Sequence, residues 1–339
     1  MESLNPEQLL AVSNFYEQEN IALSPSALKL LMTSPEAYYK KYALKEEEKV
    51  KKKFFDEGSL LHALVLQPDE VADMFVNMVV SAPPDSAKTL CDYLLDLNDL
   101  SDQLEMYEEQ ILTYLAEINL HQSLVDDKKA PFKTGDEKRL EKVITENAIL
   151  YFELMHTNKD KIIVDNASWE KCVDKKDAIL KSPYAKKLLL IDGEKQEISK
   201  ELLLTNKHDG INYTLKGILD CIKVDRINKK IYVTDLKTTS ASLKEFVKSV
   251  ETHGYWLQGA IYYLLAHSLT QGTAMNYEIV VNFLVVDGKN QVYNFEVSSE
   301  TMESWLIRSE EVINVQFEYH YKNKDFTLPY SFANNLITL

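Results

Sequence analysis

The sequence predicts an α/β fold, a mixed central sheet flanked by helices with a helical insertion ahead of the sheet. Three observations predict it. From Glu197 onward the apolar period changes from three-to-four to two, as expected where helix gives way to strand. Two pairs of alternating segments, 213–225 with 230–238 and Tyr277–Val286 with Gln291–Val297, are each joined by a short polar turn and read as hairpins. Between those pairs lies a helical segment, 254–270, that is apolar almost all round and therefore needs cover on several sides.

In chain order, Ser24-Pro25 is a helix start: a hydroxyl to cap the first free N–H groups, then a proline where no N–H is needed. Leu28, Leu31 and Met32 follow at helical spacing, and Ser34-Pro35 restarts the chain. The charged run Lys45 to Lys53 is expected to be a solvated helical surface. Gly58-Ser59 is expected to open a short helix, Leu60 to Leu66, closed by Pro68. Pro83-Pro84 marks a boundary. Beyond it Leu104, Tyr107, Ile111, Tyr114/Leu115 and Ile118 step by three and four, as do Leu140, Val143/Ile144, Ala148, Tyr151 and Leu154/Met155. With a loop around Lys128–Gly135, this predicts a helical hairpin inserted over 84–160. The sheet core follows over 197–297, its hairpins turning at Arg226–Lys229 and at Asp287-Gly288. A final amphipathic helix is expected from Glu300 to Tyr319.

With 339 residues, 45% of them hydrophobic, the chain can bury a substantial core. Its three cysteines, Cys91, Cys172 and Cys221, are far apart and include no CxxC pair. A disulfide framework or structural zinc site is therefore not expected, and a reducing, cytoplasmic compartment is. The first residues lack the basic and apolar regions of a secretory signal, and no apolar run is long enough to span a membrane. The net charge of −15 opposes a nucleic-acid partner at first sight, because duplex binding rests on phosphate neutralisation. The charge is uneven, however. Residues 85–123 hold nine acids and one base, whereas 197–237 hold eight Lys/Arg against six Asp/Glu. Basic side chains are thus expected to gather near Lys237, where a groove of one sign can focus potential despite the opposing net charge.

The first hairpin carries the chemistry. On 213–225, alternation puts Ile218, Asp220, Ile222 and Val224 on one face and Leu215, Leu219 and Cys221 on the other, a strand apolar on both faces. There a lone carboxylate such as Asp220 costs several kcal/mol unless paired or bound to metal. On the next strand Ile231, Val233, Asp235 and Lys237 share a face. A turn centred between Ile227 and Asn228 places Asp220 opposite Asp235, with Cβ atoms roughly 5 Å apart. Two converging carboxylates with a lysine two residues on suit a hard divalent cation and a positioned ammonium. A structural ion pair with Lys237 is the competing reading. In the following helix Gln258 and Tyr262 share a face, and Gln258 is the polar exception among Trp256, Leu257, Ala260, Ile261, Leu264 and Leu265. Either the site or the backbone could satisfy it. His62, among Leu60, Leu61, Ala63 and Leu64, is equally open between ligand and core histidine.

Taken together, Gly58-x-x-x-His62, Gly217-x-x-Asp220, Asp235-Leu236-Lys237-Thr238-Thr239 and Gln258-x-x-x-Tyr262 resemble the RecB-type branch of the PD-(D/E)XK (restriction-endonuclease-like) nucleases. Leu23-Ser-Pro-Ser26 with Ser34-Pro35, and Ile163 to Trp169 through Ser182-Pro183 to Glu197, look like phage and prophage exonucleases of the RecE kind. The resemblance covers most of the chain and is weakest over 85–155. It implies a single nuclease domain over 1–339. Asp220 and Asp235 would hold Mg²⁺, for which Mn²⁺ substitutes, with the Leu236 carbonyl and His62. Lys237 would orient or deprotonate water, Gln258 and Tyr262 would support Lys237 and the DNA strand, and Glu197 would be an acidic contributor.

The resemblance further implies an exonuclease on linear duplex DNA ends, 5′ to 3′, working for recombination or repair in a bacterial or phage-infected cytoplasm. A homo-oligomeric ring and a single-strand annealing protein are the implied partners. No cysteine lies beyond Cys221, so the iron–sulfur cluster of some relatives is not expected, and no Walker A sequence points to ATP. A structure-specific endonuclease or RNA-active nuclease of the same fold, and a non-catalytic acidic interaction protein, are the alternatives.

Overall fold

The computed structural model describes residues 5–18, 20–46, 53–97, 103–121, 123, 134–189, 196–208, 211–240, 242–270 and 277–333. The chain divides into two compact units, one of residues 1–67 with 174–339 and one of residues 68–173. The strands described are β1 (Ile21–Leu23), β2 (Phe75–Met78), β3 (Ile162–Asp165), β4 (Gln196–His208), β5 (Ile211–Asp225), β6 (Lys230–Thr238), β7 (Glu278–Val286) and β8 (Val292–Glu296).

In the first unit six strands form a mixed sheet, ordered β1-β5-β6-β7-β8 with β4 also on β5. Both expected hairpins are present and antiparallel, β5–β6 and β7–β8. The turn of the first is centred as expected, because Asp225 pairs with Lys230 and Cys221 with Thr234. The parallel β6–β7 pair needs a crossover. Helices Leu243–Thr252 and Tyr255–Ser268 provide it. The second is the one apolar nearly all round, with Trp256, Leu257, Ala260, Ile261, Leu265 and Ala266 buried. It packs in one core with Leu28 and Leu31 of the helix Pro25–Thr33 and with Trp305 of the helix Ser299–Glu310. A second core joins Leu61 and Leu66 to Cys221, Leu236 and Leu284.

β5 departs from simple alternation, and the site depends on that departure. β4 covers one edge of β5 from His208↔Ile211 to Gln196↔Lys223. The other edge is divided: β1 pairs at 213–215 and β6 at 221–225. Residues 216–220 have no strand partner on that edge among the described residues. Leu219 and Ile222 lie in the same core while Cys221 lies in the other, so alternation slips by one position at Asp220. Ile218, expected under apolar cover, is 57% exposed for the same reason.

Ser24 and Ser34 cap their helices as expected, each accepting from the amide three residues on. Gly58 does not open a helix: it lies inside Lys53–Leu66, which begins five residues earlier. Most of the charged run before it lies outside the described residues. The last helical stretch is not regular, since a π-helical segment, Glu311–Phe317, interrupts it after Glu310.

The second unit is mainly helical and carries a parallel β2–β3 pair. In place of a two-helix hairpin it has helices Asp85–Leu95, Glu108–Glu117, Gly135–Val143 and Glu146–Thr157. The last two are separate because Thr145 caps a new start by accepting from Ala148 N. Arg139 is buried and donates twice to Leu120 O, at 3.2 and 2.9 Å, which satisfies a carbonyl just beyond the helix Glu108–Glu117. Among the described residues no helix is long and apolar enough to cross a membrane.

Candidate active site

Asp235 and Lys237 project from the same face of β6, and the Asp235 carboxylate is held from two directions. The residue is 1% exposed. Its Oδ1 accepts from Gln258 Nε2 at 2.8 Å, while Oδ2 faces Lys237 Nζ at 2.8 Å without the alignment of a hydrogen bond. Gln258 Nε2 also donates to Tyr262 Oη at 2.9 Å, and Tyr262 Oη donates to Ile218 O at 2.8 Å. The last bond satisfies a carbonyl of the unpaired β5 edge. One turn of helix thus connects that edge to the buried carboxylate, and Gln258 is satisfied by the site rather than by backbone.

Asp220 and His62 meet where β5 and β6 separate. Past the last pair, Cys221↔Thr234, Leu236 N donates to Asp220 Oδ2 at 2.8 Å. His62 Nε2 donates to Leu236 O at 2.7 Å, and its Nδ1 lies 3.5 Å from Asp220 Oδ2. The sequence-nominated residues His62, Asp220, Asp235, Leu236, Lys237, Gln258 and Tyr262 are therefore one connected group. The side chain of Glu197 lies outside the described residues; its backbone pairs with Ile222.

Burial and neighbouring charge push the two carboxyls apart. For Asp235, burial raises the carboxyl to about 6 against the pull of Lys237, with a further push from the Asp220 charge. For Asp220, burial acts upward, but the bond and charge of His62, the charge of Lys237 and the Leu236 amide outweigh it and hold the carboxyl low. Burial would lower both His62 and Lys237. The bond to Asp220 raises His62 instead, and the charges of Asp235 and Asp220 raise Lys237, so its ammonium stays charged. Burial foremost, then the Asp235 charge, pushes the Tyr262 hydroxyl up and keeps it a donor.

These donors suit a hard cation. Asp235 Oδ2 is a buried carboxylate oxygen that faces the Lys237 ammonium and feels the charges of Asp220 and His62, while Asp220 and His62 meet at the Leu236 main chain. Among the described residues no three His, Cys, Asp or Glu side chains converge closely enough to form a ligand cluster by themselves. A cation here would therefore draw on the main-chain carbonyl and water.

A cavity of about 540 Å³ reaches part of this group, and His62, Asp220, Asp235 and Leu236 are not among the residues that line it. Lys237, Gln258 and Tyr262 line it, together with Lys29, Lys216 and Tyr255; Glu201 is its one acid. Of the eight basic residues in 197–237, Lys216 and Lys237 line this cavity, and Lys29 joins them from outside that segment. Lys29 donates to His253 O at 2.6 Å, and burial, followed by the charge of Lys237, lowers its ammonium. Sequence reasoning passed over Lys29, Lys216 and Tyr255. Each stands near a motif residue, but a lysine on a strand or surface helix has no periodic signature.

Gly217 explains one motif position sterically. A Cβ there would lie 2.9 Å from Tyr262 Cε1 and 3.0 Å from Leu265 Cδ1, closer than real contacts. Gly217→Ala is expected to displace the Tyr262 ring and cost about 1–3 kcal/mol of stability. A thermal melt should show the loss. Cleavage, assayed where the variant is still folded, should also fall, because the bonds from Tyr262 to Ile218 and Gln258 are disturbed. A variant with native melting and native rate would show that the ring does not need this space.

No curated protein matches the chain. Among solved structures, a "Putative exonuclease" from Eubacterium rectale aligns at 14% identity over 100% of this chain and 95% of its own, with a TM-score of 0.42. A second, SSO0001, aligns at 14% identity over 67% of this chain and 82% of its own, with a TM-score of 0.25. Likenesses of this degree bear no weight on activity. The sequence profile of the PD-(D/E)XK nuclease superfamily is another matter, because it matches residues 22–326, the whole span that carries His62, Asp220, Asp235, Lys237 and the Gln258 helix. On that match the chain belongs to the PD-(D/E)XK nuclease superfamily.

Proposed function

We propose that this chain is a Mg²⁺-dependent exonuclease that hydrolyses linear duplex DNA from its ends, 5′ to 3′, in recombination or repair. The observation that carries the reading is the buried Asp235 carboxylate, held by Gln258 and Lys237, which themselves line a cavity bearing Lys29 and Lys216. The resemblance to RecE-type exonucleases supports the choice of duplex ends and of polarity.

Asp220, Asp235, the Leu236 carbonyl and His62 would hold the cation, with Mn²⁺ able to replace Mg²⁺. When bound, a divalent cation supplies Lewis acidity, making water more acidic and drawing charge from the phosphate. The protein's own groups do the rest. Lys237 offers its ammonium to the attacking water or a phosphate oxygen as charge builds there. Gln258 fixes the rotamer of Asp235, and Tyr262 fixes Gln258. Lys29 and Lys216 bind the phosphodiester backbone, where neutralising a phosphate releases counterions. With a net charge of −15, each chain offers few such contacts, which favours a homo-oligomeric ring around the duplex. A single-strand annealing protein would take the product, and the whole chain would act as one nuclease in the cytoplasm.

End-labelled linear duplex and covalently closed circles of the same sequence, each with Mg²⁺, test the proposal. The linear DNA should be degraded from its 5′ ends while circles survive. Rapid cutting of circles would remove the exonuclease reading and leave a structure-specific endonuclease; cleavage confined to RNA would replace the substrate class. An absence of cleavage together with no cation binding in calorimetry would leave a non-catalytic interaction protein.

A further inference from the structure

Among the described residues the Lys237 ammonium makes two close contacts, and they differ in kind. One is Asp235 Oδ2 at 2.8 Å; the other is the face of the Tyr255 ring, whose centroid lies 4.9 Å from Nζ. The carboxylate is an unsteady partner in a nuclease cycle. A cation taking Asp235 as ligand withdraws the charge that Lys237 leans on, and a four-carbon side chain facing an open cavity then has many rotamers to visit. The ring face behaves differently. It attracts an ammonium through its quadrupole and consumes none of its three N–H donors.

Tyr255 is itself fixed. It begins its helix directly after Gly254, whose φ of 65° turns the chain into it. A Cβ on Gly254 would lie 3.3 Å from the Lys29 side chain, which bonds His253 O on the other side of the turn. The ring packs near Phe246 and Phe283, at centroid distances of 5.8 and 6.1 Å. It also lines both the main cavity and a smaller one bounded by Thr238, Thr239 and Ser249. Its hydroxyl makes no hydrogen bond among the described residues, so the aromatic face is what it brings to Lys237.

We propose that Tyr255 is a positioning residue, which keeps the Lys237 ammonium aimed into the cavity when Asp235 is engaged by a cation. The proposal builds on the nuclease reading and adds to it a residue outside the recognised motif pattern. Lys237 therefore keeps the ring contact when the carboxylate is engaged, and its donors stay available to the phosphate.

Two variants and two readouts test it. Tyr255→Leu should lower single-turnover cleavage by about tenfold, the size of a partly desolvated cation–π contact. The KM for DNA and the Mg²⁺ concentration for half-maximal rate should hardly change. Tyr255→Phe, which keeps the face, should restore most of the lost kcat. Independently of activity, the ε-methylene protons of Lys237 in lysine-labelled protein should be shifted upfield by the ring current. That shift should be lost in Tyr255→Leu, kept in Tyr255→Phe and retained by the wild type when Mg²⁺ is added. A native kcat in the leucine variant, a defect shared equally by phenylalanine, or a shift that vanishes with Mg²⁺ would overturn the proposal. Failure of the nuclease reading would look different: wild-type protein that cleaves nothing with any cation would overturn the positioning role, while the cation-free spectrum would still report the contact.

Discussion

Asp235→Asn is expected to lower cleavage of linear duplex by about 10³-fold or more, the scale of losing a group that stabilises transition-state charge. Asparagine keeps an oxygen for Gln258 Nε2, so the hydrogen bond at 2.8 Å can persist while the charge disappears. Stability is expected to move little, because two effects oppose each other. Burial raises the Asp235 carboxyl to about 6, above its unfolded value of roughly 3.9, so ionising it disfavours the fold. That penalty is absent below the unfolded value and complete above about 6; the asparagine variant escapes it at neutral pH. Against this, Lys237 loses the counter-charge that raises its own ammonium. The melting temperature should therefore stay within about 4 °C of the wild type. Single-turnover cleavage and a thermal melt decide the matter. Retention of native rate in the variant, or native activity of the wild type in excess EDTA, would sink the metal-dependent mechanism.

His62→Ala is expected to raise the Mg²⁺ concentration needed for half-maximal rate by about 10–100-fold, the usual scale for disturbing a metal's supporting groups. The imidazole reaches two of the three proposed oxygen donors, Leu236 O at 2.7 Å and Asp220 Oδ2 at 3.5 Å. Mn²⁺ accepts nitrogen ligands more readily than Mg²⁺, so the size of the defect should differ between the two cations. A core histidine would behave otherwise. Its loss would lower the melting temperature through the helix Lys53–Leu66 and leave the cation titration where it was.

Much of this protein was legible in the sequence because its information is local. Alternation over 213–238 placed Asp235 and Lys237 on one face, and the turn signal centred between Ile227 and Asn228 set the register that the hairpin adopts. A spacing of four placed Gln258 and Tyr262 on one helical face, and the combined order of motifs pointed to the superfamily that the profile identifies. Helix starts at Ser24 and Ser34 followed from capping chemistry alone. Local rules failed where the outcome depended on competition between distant segments. Period-two reasoning put Ile218 under cover; the structure exposes it, because β1 and β6 divide one edge of β5 and leave 216–220 between them. No sequence period encodes that division, since it is set by which strands reach that edge and how far they run. Similarly, Thr145 restarts a helix that apolar spacing alone would carry through. The sequence by itself thus nominated the candidate residues and placed Asp235 with Lys237, and Gln258 with Tyr262, on shared faces. Tertiary structure alone decided that Tyr262 closes the open edge at Ile218, that Asp220 takes the Leu236 amide where the ladder ends, and that the Tyr255 ring lies beside Lys237. Those contacts join groups many residues apart, whose meeting is fixed by the packing of helix on sheet and not by any preference of the chain nearby.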